Sequence, residues 1–200
     1  MRLARAARQR HADRMLTGPF YDGCCLVAMP GIGDPRFAHS VIALISHDSE
    51  GAMGIGVAHP TELPATRVFT DAGMDASRVD PAARVLIGGP VEPQRGLLLH
   101  SPDWASDESL TVPGRMAMSG SPAVLEAIAQ GEGPAHWLLA LGYAGWGAGQ
   151  LEAEIADDAW HISTMDFADW FALEPEDRWL AMLRADGIEP GRIAIGSGRA

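Results

Sequence analysis

Short apolar runs separated by glycine- and proline-marked turns set the pattern for most of this 200-residue chain. The run Cys24-Cys25-Leu26-Val27-Ala28-Met29, stopped by Pro30-Gly31, predicts a buried strand. Residues 40–46 and 52–58 predict two more strands, joined by a polar hairpin turn over 47–51 and ended by His59-Pro60. Gly54 and Gly56 lie two apart, so they share one strand face, where a neighbour packs closely. Residues 63–73 carry two signals: Pro64 and Gly73 suit a short helix, whereas Thr66, Val68 and Thr70 suit a strand. A loop over 71–82 leads to a strand at 84–87, closed by Gly88-Gly89-Pro90, with 95–100 as its hairpin partner and a short strand at 110–112. Ser121 as cap, Pro122 at the first helical position and Gly131 past the end predict a helix over 122–130. Residues 160–163 and 169–172 read as short strands. Residues 175–185 read as a helix with Trp179, Leu180 and Leu183 inward, ended by Gly187.

The stretch 137–155 organises the rest. An apolar strand over 137–141 runs into a glycine-dense segment, 142–149, and then into a helix that begins near Leu151. Strand, glycine loop and helix is a shape that holds phosphate at a helix N-terminus. Here the chain has no lysine, Gly145, Gly147 and Gly149 miss the dinucleotide spacing, and Glu152 and Glu154 would repel a phosphate. The favoured reading is a structural motif of Gly142, Tyr143, Gly145, Trp146 and Gln150, with the glycines in tight turns and Trp146 over a neighbouring strand; a ligand loop is the alternative. Leu151, Ile155 and Ala159 share one helix face, which turns Glu152, Glu154 and Asp157 to water.

Charge narrows the functional classes. The formal net charge is −11, but Arg2, Arg5, Arg8, Arg10 and Arg14 against Asp13 give residues 1–14 a balance of +4, leaving −15 on the remainder. We therefore expect a basic, flexible N-terminal arm over 1–19 and a single acidic domain over 20–200, a body that repels nucleic-acid phosphates. All fifteen basic residues are arginine, which removes Schiff-base and P-loop lysines. The seven histidines form no metal-binding helix pair, and adjacent Cys24 and Cys25 point to opposite strand faces, so no metal, cofactor or catalytic residue is predicted. Two cysteines without a disulfide framework fit a reducing compartment, and no apolar run approaches the ~18 residues of a membrane span. The candidate pocket comprises Asp34, Arg95 and His100, at turns and strand ends, where function concentrates. Arg95 could grip an anion and His100 titrate near neutrality; equally, Asp34 could bond its own turn and His100 cap a strand end.

Several motifs occur in a familiar order: Leu26-Val27-Ala28-Met29-Pro30, Asp34-Pro35-x-Phe37, Ser40-Val41-Ile42, Gly51-Ala52-Met53-Gly54, Gly88-Gly89-Pro90, Arg95-Gly96-Leu97-Leu98-Leu99-His100, Leu141-Gly142-Tyr143-Ala144-Gly145-Trp146, Gly149-Gln150-Leu151-Glu152, Ala159-Trp160 and Arg178-Trp179. In these the chain resembles the bacterial AlgH/YqgE family over about residues 22–200. The resemblance implies an α+β single domain, with a branched, mostly antiparallel sheet folded into a pseudo-barrel and flanked by helices. It also implies a cytoplasmic bacterial protein. It implies no defined activity, and the family's label as a transcriptional regulator adds no mechanism. The chain departs from common family residues at Ser46-His47-Asp48, at His59 and at Gly198-Arg199-Ala200.

Two functional classes follow. One is a regulatory or adaptor protein acting through protein partners; the other is a small-ligand binder or enzyme using polar residues at strand ends. Neither requires nucleic acid or membrane. Direct DNA recognition lacks a basic recognition helix, so the folded domain should leave no sequence-specific footprint at physiological salt. Residual binding in a mobility-shift titration should be sequence-blind, weaken steeply with salt and vanish when 1–19 are deleted; a salt-resistant, sequence-specific complex of the deleted form would contradict this.

Overall fold

The computed structural model of the protein describes residues 20–193; the arginine-rich arm expected over 1–19 lies outside them. The strands are β1 (Cys25–Ala28), β2 (Val41–Asp48), β3 (Gly51–Gly56), β4 (Pro60–Pro64), β5 (Arg84–Ile87), β6 (Val91–His100), β7 (Leu110–Val112), β8 (Met116–Ser119), β9 (Trp137–Gly147) and β10 (Trp160–Ser163). The helices are α1 (Ala65–Asp71), α2 (Pro122–Gln130), α3 (Gln150–Ala156), α4 (Phe167–Phe171), α5 (Arg178–Ala185) and α6 (Pro190–Ile193), with 3-10 turns at Pro35–Phe37 and Pro175–Asp177.

The strands form one branched sheet in the order β10-β1-β2-β3-β9-β6-β8-β7. Its ladders are antiparallel except for β5, which runs parallel to β9 and pairs with β4 on its other side. The branch lies on β9. One edge takes β6, and the other takes β5 at Ala140–Leu141 and then β3 at Ala144–Gly147. The fold is α+β as the resemblance implies, but the sheet does not close into a barrel: β10 and β7 are free ends of the path, although β7 and β8 curl back over β2. Arg95–His100 is not the hairpin partner of β5 either, because β5 and β6 flank opposite edges of β9.

Both sheet faces are covered, which explains why strands read as continuous apolar runs. In β1, Cys25 and Val27 enter one core while Leu26 and Ala28 enter another; in β2, Val41, Ala43 and Ile45 oppose Ile42 and Leu44 in the same way. Trp170, Met182 and Leu183 from α4 and α5 close the first core. Trp146, Leu151 and Trp160 close the second, and α1 and α2 close a third against Leu98 and Leu139. Along β9, Leu138 and Ala140 face the first core, but beyond Gly142 it is Tyr143 that does, while Ala144 and Trp146 face the second. The period-two alternation thus slips by one residue at Gly142, whose φ of 71° is the left-handed conformation glycine permits.

The glycine segment is therefore strand, not loop, and its glycines have different duties. A Cβ on Gly142 would stand 2.5 Å from the Gly89 carbonyl oxygen and 2.8 Å from that of Val91. A Cβ on Gly88 would overlap the Gly142 carbonyl, and one on Gly56 the Ile87 carbonyl. Gly145 is exposed, and its nearest neighbour would be the Tyr143 ring at 3.6 Å, an ordinary contact. The expectation that Gly145 is tightly confined is corrected accordingly. The expected strand at 169–172 is instead the end of helix α4, which runs to Phe171 with Ala172 as its C-cap and carries Phe167 and Trp170 on its buried side.

Arg178 ties α5 to the sheet from inside. It is 4% exposed, and its guanidinium donates to the carbonyls of Val57 (2.6 Å), Trp170 (3.2 Å), Leu173 (3.2 Å) and Phe171 (3.3 Å) while lying over the Trp170 ring at 5.3 Å. Burial draws its pKa down to about 10, so it stays cationic at neutral pH, neutralised by carbonyl dipoles.

Gly142→Ala and Gly88→Ala should each destabilise by ~1–3 kcal/mol or more in urea titrations, through strain and backbone overlap. Gly145→Ala should stay within ~0.5 kcal/mol of the parent. Equal costs at Gly142 and Gly145 would contradict this division.

Candidate functional site

Behind the first strand the chain turns through Pro35–Phe37. Asp34 caps the turn, accepting the Arg36 N–H at 2.9 Å and gripping the Arg36 guanidinium at 3.0 and 2.6 Å. The guanidinium bonds hold the exposed Asp34 carboxyl below the usual range. His39 follows at φ 57°, outside the usual range for a residue with a side chain, and its ring rests on Trp179 at 4.2 Å. That reversal delivers Ser40 to the start of β2. Ser40 Oγ lies 3.2 Å from Nε2 of His59, the residue that ends the β3 excursion before β4.

Arg36, Ser40 and His59 wall a cavity of about 310 Å³ with Phe37, Ile42, Gly56 and the Ile87–Pro90 segment. The bare backbone of Gly56, Gly88 and Gly89 forms one side, and the Arg36 guanidinium stands at the mouth, 67% exposed. Burial holds the His59 imidazole below its ordinary pKa, partly offset by a backbone hydrogen bond at Ala38. The cavity therefore presents a neutral imidazole, a hydroxyl and a cation around an apolar interior. A larger depression, about 670 Å³, runs past Arg78, Arg84, His136 and Arg178. It mixes charges of both signs, Arg84 faces Glu62 at 3.5 Å, and the Arg178 donors are taken by carbonyls, so the smaller cavity is the better candidate.

Asp34, Arg95 and His100 are not brought into one hydrogen-bonded set. Asp34 bonds its own turn, beside the cavity. Arg95 is exposed on β6 and pairs with Glu92 at 2.9 Å, an exposed contact of the class worth ~0.2–1 kcal/mol. His100 is fully buried; Nδ1 donates to the Ser101 carbonyl at 2.9 Å, so Nε2 accepts from Ser119 Oγ at 2.9 Å. Ser119 in turn meets Ser109 at 2.7 Å, and this chain of hydroxyls fastens the 101–109 loop. Of the positions marked by sequence, Phe37, Ser40, Ile42, Gly56, His59 and Gly88-Gly89-Pro90 line the cavity, whereas Arg95 and His100 do not. The Ser40–His59 pair escaped notice because its partners are nineteen positions apart and no local motif joins them.

The helix after β9 is also more engaged than its pattern suggests. Glu154 accepts the indole N–H groups of Trp146 and Trp160, each at 2.8 Å, and binds Gln150 at 2.8 Å, so it does not face water freely. Glu152 meets His47 Nε2 at 3.1 Å, while His47 Nδ1 accepts the Tyr21 N–H at 3.1 Å. Cys24 and Cys25 are buried free thiols, raised to about 11 and about 12 by desolvation, and so are poor nucleophiles. Among the described residues no group of three metal-ligating side chains converges, and no helix is long and apolar enough to cross a membrane.

A family profile described as AlgH-like matches residues 25–191. The chain belongs to the AlgH-like family. A relative from Sphingopyxis alaskensis, named UPF0301 protein, is 44% identical over 93% of this chain and 100% of its own length. One from Ruegeria pomeroyi, UPF0301 protein SPO0296, is 43% identical over 89% of this chain and 98% of its own. The solution structure of the AlgH protein from Pseudomonas aeruginosa superposes with a TM-score of 0.70 at 36% identity, covering 92% of this chain and 98% of that one. Protein DIP2367 of Corynebacterium diphtheriae, 24% identical with a TM-score of 0.68, shares the fold. These names carry a fold and a family but no reaction for an AlgH-like chain.

Burial depresses the pKa of both His59 and His100, so the unfolded chain binds protons first on acidification. Stability should be full above the unfolded value near ~6.5 and fall as pH drops through it toward the depressed folded values. Urea midpoints measured from pH 7.5 to 5.5 should decline; a flat or rising profile would contradict the assignment of the half-buried His59 and the buried His100 as neutral rings with depressed pKa.

Proposed function

We propose that this AlgH-like protein binds a small molecule in the cavity between the Pro35–Phe37 turn and the Ile87–Pro90 segment. One observation carries the reading: a 310 Å³ apolar enclosure into which a hydrogen-bonded Ser40–His59 pair and the Arg36 guanidinium converge. Ligand sites combine apolar walls with a few placed polar groups, and this volume stands at the small end of their usual ~300–1,000 Å³ range. The matching ligand is compact and largely apolar, with one carboxylate or carbonyl oxygen. Arg36 gives Nε and Nη2 to Asp34, while Nη1 makes no hydrogen bond among the described residues and is available to such an oxygen.

A partner-directed, regulatory role in the cytoplasm is a second reading. It is favoured by the acidic body and by Ile87, a large apolar side chain 53% exposed at the cavity rim. Under that reading ligand occupancy would alter the surface that a protein partner meets, and any effect on transcription would be indirect.

Thermal melts against small aromatic and branched aliphatic carboxylates and esters test the first reading. Occupancy at ~100 times the dissociation constant should stabilise by about 2.7 kcal/mol. Arg36→Ala, at an exposed position, should keep the parent's unliganded melting point and lose the carboxylate shift. A flat response across the series would overturn the proposal.

A further inference from the structure

We propose that Ser40 and His59 are a nucleophile–base pair, and that the cavity performs serine acyl transfer on small esters. The inference rests on the cavity being a ligand site. Three features carry it. Ser40 Oγ and His59 Nε2 lie 3.2 Å apart, within reach for proton transfer once a substrate tightens the pair. Both residues line the same half-open cavity, and because Ser40 is only 5% exposed a substrate carbonyl must reach into the cavity to meet its hydroxyl. Burial holds the imidazole below its ordinary pKa, so at neutral pH the ring is neutral and Nε2 can accept the Ser40 proton. Histidine and serine thus stand as a base and a nucleophile, the central pair in the general logic of activated serines.

His100 and Ser119 show what the pair would look like without a function. They make the same kind of contact at 2.9 Å, but both are buried, at 0% and 1% exposure, in a chain of hydroxyls, and neither lines either of the two cavities described above. Ser40 is itself only 5% exposed, so it is the cavity beside Ser40 and the half-buried His59, not the contact itself, that separates the two pairs.

The step balances without a cofactor. Ser40 Oγ attacks the ester carbonyl carbon as His59 Nε2 takes its proton. Collapse breaks the ester C–O bond, and the imidazolium returns the proton to the departing alkoxide, releasing an alcohol. Water then attacks the acyl-serine, giving its proton to His59, which passes it to Ser40 Oγ as the acid leaves. The Arg36 guanidinium at the mouth is placed for a carboxylate elsewhere on the substrate. The expected substrates are therefore short esters or lactones with an apolar acyl group.

The full chain would be incubated with p-nitrophenyl butyrate, quenched in acid and measured by intact mass and peptide mapping, with a fluorophosphonate as a second covalent probe. The expected result is one butyryl group and one phosphonyl group, both on Ser40, the first with a burst of nitrophenol. Ser40→Ala should lose both adducts. His59→Asn, which keeps a polar side chain but no base, should slow acylation by roughly 10²–10⁴-fold while melting at the same temperature. The acylation rate of the parent should rise with pH along a limb centred below ~6.5. Absence of an adduct, an adduct on another residue, or an unchanged rate in His59→Asn would overturn the proposal. If carboxylates still stabilise the protein in that case, the ligand site stands and only the acyl transfer falls; if neither is seen, both fall.

Discussion

Backbone packed directly on backbone is the constraint that everything else in this fold accommodates. Where β3, β5 and β9 meet, Gly56 donates to the Gly88 carbonyl at 2.7 Å and Gly88 donates to the Leu141 carbonyl at 2.8 Å. No Cβ fits at Gly56, Gly88, Gly89 or Gly142 without meeting another backbone. Two strands, β5 and β3, can share one edge of β9 in succession with β6 opposite only because these positions carry no side chain. Gly142 adds the one-residue slip that lets the first half of β9 serve one pair of cores and the second half another. The same crossing leaves an open wall of bare backbone, and that wall becomes one side of the cavity.

The opposite side is held from helix α5. Trp179, next to the buried Arg178, donates its indole N–H to the Ala28 carbonyl at 2.7 Å and supports the His39 ring at 4.2 Å. Ala28 N–H binds the Ser40 carbonyl at 2.9 Å. A single α5 residue thus steadies β1, the strained turn at His39 and the backbone of the proposed nucleophile. Arg178 makes this docking costly to undo, because a withdrawn guanidinium would leave four carbonyls to be satisfied again. Rigidity at Ser40 is therefore inherited from long-range contacts, a suitable arrangement for a group whose misplacement by ~1 Å can cost ~10²-fold in rate.

What could be read from the chain was what is local. The helix over 122–130 announces itself through Pro122 and Gly131, and the runs around Leu26 and Ile42 are apolar on both faces because both faces are buried. The motifs around Gly88-Gly89-Pro90 and Gly142 carried the family resemblance, and the fold class came with it. Misreadings arose where one signal serves two structures. Glycine depletes strand propensity, so 142–147 looked like a loop, yet close approach is what required glycine there. Phe167, Trp170 and Phe171 stand at helical spacing, but the window 169–172 is too short to show it. Ser40 with His59, and Glu154 with Trp146 and Trp160, depend on register and crossing, which no local pattern encodes. Arg95 and His100 were chosen for chemical type, and exposure on one and complete burial of the other separate them.

Native-state hydrogen exchange at the Gly56 and Gly88 amides tests most directly whether the glycine crossing is the keystone. If the crossing opens only when the whole domain unfolds, both amides should exchange with the global free energy of unfolding and show its full urea dependence. Exchange of either amide through a small, urea-insensitive opening, while the β1 and β2 amides stay protected, would contradict the account.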